Sequence, residues 1–250
     1  MIDVHCHLEQ KDFDNYREEL IKSLRKELKA IITSCAHPKD FEKTMQIASS
    51  NKGFIFAAFG FHPEYANEKY EDYMELIKQN SNSFVAIGEI GLDYYYARTI
   101  EEQEKQKEVF REWLSFAKEL KKPVTIHIRD AFEDTFRILE SEDVQKVHLH
   151  MFGGYKLVNE VIEKKWFVSL NTMVLKSKSY KRVARDIPIE QLMLETDSPW
   201  LSLEENKRND PRSVKLVAEE IAKIKKVDVK VVEEKTDLNA ISFFNLNLRQ

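Results

Sequence analysis

Only two cysteines, Cys6 and Cys35, occur in 250 residues. That is too few for a disulfide framework and fits a reducing compartment, so the expected location is the cytoplasm. Glycine and proline are sparse at six each, and no Gly-Ser or Pro-rich stretch marks a linker, which makes one domain over residues 1–250 the expected organisation. No apolar run approaches the ~18 residues of a membrane span, and the first candidate strand begins at Ile2, leaving no room ahead of it for a signal peptide. An excess of positive charge is missing too: 39 Lys and Arg stand against 43 Asp and Glu, a net charge of -4. Without a global basic field, any polyanionic substrate has to be captured locally. What is present is apolar content, at 42% of residues, enough for a substantial core and too much for a disordered chain.

Short apolar runs bounded by breakers give eight candidate strands: Ile2 to His5, Ala30 to Cys35, Phe54 to Gly60, Phe84 to Glu89, Val124 to His127, Val147 to His150, Trp166 to Leu170 and Gln191 to Thr196. Between them lie amphipathic patterns such as Tyr16 to Lys29, Tyr70 to Gln79, Glu101 to Leu120 and Ala131 to Glu140. Near-continuous apolar strands alternating with helices indicate parallel strands buried on both faces. Eight such units in this length predict an α/β fold of the (β/α)8 TIM-barrel type, with a doubly wound open sheet as the alternative. Residues Val214 to Leu248 add two or three further helices, with Phe243 and Phe244 as packing residues, and Asn171 to Tyr180 reads as a polar, lysine-rich loop.

Barrel enzymes place their chemistry at the C-terminal ends of the strands. Six of the eight predicted ends carry a potential metal ligand or acid/base group: His5 and His7, His62, Glu89, His127, His150 and Asp197. His5 and His7 are two apart on a strand, ~6.5 Å between Cα atoms on one side, so both imidazoles can converge on one ion. Glu89 has two carboxylate oxygens and can bridge two cations. His127 and His150 offer nitrogen ligands for the second ion, while Asp197 can complete the first site or take a proton from bound water. His148, a layer deeper than His150, reads as a hydrogen-bonded core residue, and His37 as a loop residue of open role.

Several motifs in order along nearly the whole chain resemble the TatD-type metal-dependent deoxyribonucleases, a branch of the amidohydrolase-like barrels. They are Asp3-Val4-His5-Cys6-His7-Leu8, Gly60-Phe61-His62-Pro63, Gly88-Glu89-Ile90-Gly91-Leu92-Asp93-Tyr94, Pro123 to Ala131 around His127, His150-Met151-Phe152-Gly153-Gly154, and Glu195 to Leu201 followed by Arg208-Asn209-Asp210-Pro211. The resemblance implies that His5, His7, Glu89 and Asp197 hold one cation and that Glu89, His127 and His150 hold the other. It also places His62 near the scissile phosphate. Gly153 departs from the family pattern, which more often has Ser there.

The resulting expectation is a hydrolase in which two divalent cations (Mg, Mn or Zn) lower the pKa of a shared water for attack on a DNA phosphodiester, with Asp197 as base. Arg129 either grips phosphate oxygens or orients Glu89 or Asp93. Asp93 and Asp130 read as supporting rather than catalytic residues. Tyr94, Tyr95 and Tyr96 can stack unpaired bases, with Tyr94 as the expected substrate contact. Lys176, Lys178, Lys181 and Arg182, with Lys207, Arg208 and Arg212, are either a path for the phosphate backbone, led by Lys176 and Arg208, or solvated surface. A monomer without an obligate protein partner is expected. Two other readings remain: a metal-dependent esterase, lactonase, amidase or aminoacyl-tRNA deacylase on the same site, and a non-catalytic metal-stabilised binding scaffold.

Overall fold

The computed structural model describes residues 1–248. Eight strands, β1 (Ile2–Cys6), β2 (Ala30–Cys35), β3 (Ile55–Phe59), β4 (Ala86–Asp93), β5 (Val124–Arg129), β6 (Val147–Leu149), β7 (Phe167–Leu170) and β8 (Leu192–Leu194), pair in sequence order. Every pairing is parallel. The seam between β8 and β1 is drawn together by Asp3, whose carboxylate accepts from the Thr196 amide (3.1 Å) and hydroxyl (2.6 Å), and by the Asp197 amide donating to the His5 carbonyl (2.9 Å). The result is a TIM barrel, as the alternation of short apolar strands with amphipathic helices predicts.

Helices α1 (Arg17–Leu24), α2 (Phe41–Ser50), α3 (Glu71–Gln79), α4 (Ile100–Glu119), α5 (Phe132–Ser141), α6 (Val158–Glu163), α7 (Met173–Lys176), α8 (Lys178–Asp186), α9 (Val214–Lys225) and α10 (Val229–Phe244) follow the strands. Strand residues alternate between two cores. Ile31, Phe59 and Leu194 face the helices, while Ile32, Ala58 and Met193 face the barrel interior. The lower interior is lined by Ala30, Ala58 and Ala86, one small residue from each of three adjacent strands. The space they leave is filled by Phe243 and Phe244 at the end of α10, which stoppers the barrel floor.

Several boundaries shift by one or two residues, and three features depart further from the sequence reading. Helix α1 ends at Leu24 rather than Lys29, in a turn closed by the Leu28 amide on the Leu24 carbonyl. Residues 171–180 are not a loop: α7 and the start of α8 occupy them, because Tyr180, Val183 and Ala184 supply a buried face that the surrounding lysines obscure. Strand β4 runs four residues past Glu89, with a register irregularity between Ile87 and Ile90. Glu89 therefore sits at a kink within the strand rather than at its tip. Gly60 at the end of β3 makes this kink possible, since a Cβ there would stand 2.5 Å from the Glu89 amide nitrogen.

Candidate metal centre

The C-terminal ends of the strands enclose a 430 Å3 cleft lined, among others, by His7, His62, Glu89, His127, His150 and Asp197. Buried beneath it, His5 completes the constellation. On one side His5 Nε2 and His7 Nε2 face each other at 3.2 Å. Glu89 Oε2 lies 3.4 and 3.8 Å from these nitrogens, and Asp197 Oδ1 3.7 and 3.4 Å. On the other side, Glu89 Oε1 lies 2.6 Å from His127 Nδ1 and 2.9 Å from His150 Nε2, with the two nitrogens 3.3 Å apart. The two oxygens of one carboxylate are thus divided between two sets of donors.

These residues fit divalent cations. Four atoms held tetrahedrally at zinc-ligand distances are roughly 3.3–3.4 Å from one another, and the first set spans this separation. Two facing imidazole nitrogens with no proton to share repel, which makes the pair costly unless a cation or a proton sits between them. Three compact groups of potential ligand atoms occur among the described residues: His5 with Glu89 and His150, His5 with His7 and Asp197, and His62 with Asp93 and His127.

The third group has another explanation. His62 Nδ1 accepts the Glu64 amide (3.2 Å), so in the neutral ring Nε2 carries the proton and is a donor rather than a ligand. Burial, reinforced by the neighbouring His127, depresses the His62 pKa to about 3 and keeps the ring neutral. Asp93 accepts from the far nitrogen of His127 (3.0 Å) and from the Tyr95 amide (2.9 Å), which fixes the imidazole in place.

The outward nitrogens of the other histidines also meet supporting groups. Ser34 Oγ lies 3.1 Å from His5 Nδ1. Glu9 Oε1 stands 3.3 Å from His7 Nδ1, and Glu195 Oε2 is 3.6 Å from His150 Nδ1, both close but outside hydrogen-bond geometry. Glu195 is pinned by Ser169 (2.5 Å), Asn171 (2.8 Å) and the Met151 amide (2.8 Å), and Glu9 by the Thr33 hydroxyl (2.9 Å). Carboxylates behind ligand imidazoles orient the rings and raise their basicity. Glu9 was not singled out from sequence. The signal was available only as its i+2 spacing from His7, which has no meaning until the β1 loop folds back over Thr33.

Burial alone would push the Glu89 carboxyl up, but His150, His127 and His5 outweigh it and hold the group well below its usual range. Burial likewise opposes protonation of His7, yet Asp197 and Glu9 raise its pKa to about 10. His127 and His150 are also raised, by Asp93 and Glu89 and by Glu89 and Glu195 respectively, against the opposing effect of burial. Protons on these rings balance the carboxylates, and a cation that binds has to displace them.

Of the remaining residues named from sequence, Arg129 lines the cleft, its guanidinium 3.8 Å above the Tyr95 ring. Tyr94 is turned away: its hydroxyl donates to Asp134 (2.5 Å), and the exposed rings are those of Tyr95 and Tyr96. Lys176 donates to the Ser202 carbonyl (3.1 Å) and Arg208 pairs with Asp12 (2.7 Å), and neither lines the cleft. His148 is a core residue, bonded to Thr125 (3.2 Å) and Ser169 (2.7 Å). Phe243 and Phe244 pack, as expected. Trp200, not singled out from sequence, lines the cleft with its ring edge-on to His7 at 4.6 Å.

A parallel barrel whose rim gathers four histidines around a shared carboxylate has the build of a metal-dependent hydrolase. Comparison with known proteins narrows the class: the model for TatD-related DNases matches residues 2–245, and the chain belongs to that family. It is 35% identical to the metal-dependent hydrolase MJ1582 of Methanocaldococcus jannaschii, over 99% of this chain and 98% of that one. It is 31% identical to deoxyribonuclease TATDN3 of Homo sapiens, over 98% and 94%. The crystal structure of YJJV, a TatD homologue from Escherichia coli, shares the fold with a TM-score of 0.89 at 22% identity, covering 99% of this chain and 98% of that one.

Proposed function

We propose that this chain, acting as a single domain over residues 1–250, is a deoxyribonuclease that hydrolyses phosphodiester bonds with two divalent cations. The observation that carries the reading is Glu89, whose two oxygens serve separate donor sets. His5, His7, Glu89 and Asp197 would hold one ion; Glu89, His127 and His150 the other. When bound, such ions act as Lewis acids toward the phosphate and lower the pKa of water.

The protein's own groups do the rest. Asp197, beside both histidines of the first set and partly open to the cleft, accepts the proton of the attacking water at its carboxylate and passes it to the departing sugar oxygen as the P–O bond breaks. Its backbone, at φ 54°, holds the side chain inward from the end of β8. His62 donates a hydrogen bond from its Nε2–H to a phosphate oxygen; that nitrogen lies 3.8 Å from Glu89 Oε1. Arg129, paired with no carboxylate among the described residues and held flat by Tyr95, offers two parallel donors to a phosphate. Imidazole with carboxylate suits zinc, manganese and magnesium to different degrees, so the donor set admits each. The same reading makes the protein a cytoplasmic monomer with no obligate protein partner. No helix among the described residues is long and apolar enough to cross a membrane.

The test pairs metal analysis of the purified protein with a substrate panel of single-stranded DNA, esters and amides, each with magnesium, manganese and zinc. DNA cleavage with two equivalents of metal per chain is expected. Ester or amide turnover with DNA left intact would overturn the nuclease reading.

A further inference from the structure

Four aromatic side chains are strongly exposed among the described residues: Tyr16, Tyr95, Tyr96 and Trp200. Three of them follow β4 or β8, whose C-terminal ends lie opposite each other in an eight-stranded barrel. Tyr95 is occupied, its ring covered by Arg129 at 3.8 Å. Tyr96 and Trp200, 50% and 42% exposed, both line the cleft and have no such cover. Each ring neighbours a different group of the reaction centre: Trp200 stands edge-on to His7 at 4.6 Å, and Tyr96 edge-on to His62 at 6.4 Å between ring centres.

The exposure of Trp200 is built into its loop. The Trp200 amide donates to the Asp197 carbonyl (3.0 Å), and the next turn is tied back by the Asn209 amide on the Pro199 carbonyl (2.9 Å). Asn209 itself is buried and bonds the Thr196 carbonyl (2.9 Å), while Thr172 donates to the Leu201 carbonyl (2.6 Å). A large ring held at the cleft edge by four hydrogen bonds, and contributing little to the core, is available to stack on a flat ligand. The other two tryptophans, Trp113 and Trp166, are buried in the core.

We infer that Trp200 and Tyr96 form a two-sided clamp for nucleobases. One base stacks on each ring, and the phosphodiester between them crosses the space bounded by His7, Glu89 and His62. The assignment rests on the phosphodiesterase reading above and adds to it a strand direction across the mouth, from the β4 rim to the β8 rim. It also requires that the two bases flanking the broken bond be unstacked from each other, since the rings meet them on opposite sides of the centre. Stacking on aromatic rings tolerates every base, so the clamp predicts little sequence preference.

The experiment uses the intact, cation-loaded protein in rapid mixing. The probes are an oligothymidylate and an oligomer of equal length whose sugars lack bases. Trp200 is the exposed tryptophan, so its emission is quenched when a base stacks on it. The oligothymidylate is expected to quench, and the base-free strand is not. Trp200→Ala and Tyr96→Ala should each raise KM for the oligothymidylate roughly 5–150-fold, with Trp200→Tyr and Tyr96→Phe restoring most of the loss. Equal quenching by the base-free strand, or an unchanged KM in Trp200→Ala, would overturn the clamp. So would a Trp200→Ala protein whose only defect is lost cation, which metal analysis of each variant reveals. Base-dependent quenching by a protein that leaves DNA intact sinks the phosphodiesterase reading and spares the clamp; DNA hydrolysis without base-dependent quenching does the reverse.

Discussion

Glu9 and Glu89 are both buried carboxylates near His7, yet they do different work. Glu89 faces the ligand nitrogens, whereas Glu9 stands behind one of them, fastened by Thr33. Glu89→Gln should therefore abolish measurable turnover and remove tight metal uptake. Glu9→Gln should keep the fold and weaken metal binding about 10–100-fold, measured by equilibrium dialysis. Gly153 sits where the Tyr180 ring leaves no room for a side chain. A Cβ there would stand 2.8 Å from the Tyr180 ring, whose hydroxyl bonds the Met151 carbonyl (2.9 Å). Gly153→Ser should cost ~1–3 kcal/mol in urea unfolding, and the cost should shrink in a Tyr180→Ala background. The histidines and Asp197 are legible in the sequence because each falls at the end of an apolar run. Asp93 is legible as a support too, and it stands behind His127 as expected, whereas Glu9 and Glu195 become visible as supports only when the turns after β1 and β8 bring them behind the imidazoles.

The strands and long helices follow from periodicity, and the places where periodicity fails have physical causes. Strand β4 continues through Gly-Leu-Asp because its bulge is absorbed by pairing with β5, from Ile90 opposite Ile126 to Asp93 opposite Arg129. Helix α8 hides in a lysine-rich segment because three buried residues suffice to anchor it. The end of α10 is recognisable as apolar, but its destination inside the barrel depends on Ala30, Ala58 and Ala86, far away in sequence. Phe244→Ala should cost about 3–5 kcal/mol by denaturant unfolding. Above these rings lies His148, edge-on to Phe244 at 5.7 Å. Burial, only partly offset by Glu195, depresses its pKa to about 3. An unfolded histidine takes a proton near pH 6.5, so below that value the unfolded state binds more protons, and stability falls as pH drops from about 6.5 toward 3. The slope attributable to this residue is about 1.4 kcal/mol per pH unit, and His148→Asn should remove it from the unfolding free energies.

Closure of the barrel and binding of metal are coupled. The donor atoms come from β1, β4 and β5 and from the turns after β1, β6 and β8, so they converge only when the sheet has closed. A cation that binds the folded state alone adds RT ln(1 + [L]/Kd), about 4 kcal/mol at a thousandfold excess over Kd. Chelation should accordingly lower the thermal midpoint, and re-addition of metal should restore it, as followed by calorimetry.

The Asp3–Thr196 seam joins residues 193 positions apart. During synthesis His5 and His7 leave the ribosome about 190 residues ahead of Asp197. The stopper carried by α10 emerges later still. A nascent chain that has not yet reached β8 therefore carries the imidazoles of β1 without Asp197 to face them, and the cluster is assembled only after the last strand joins the first.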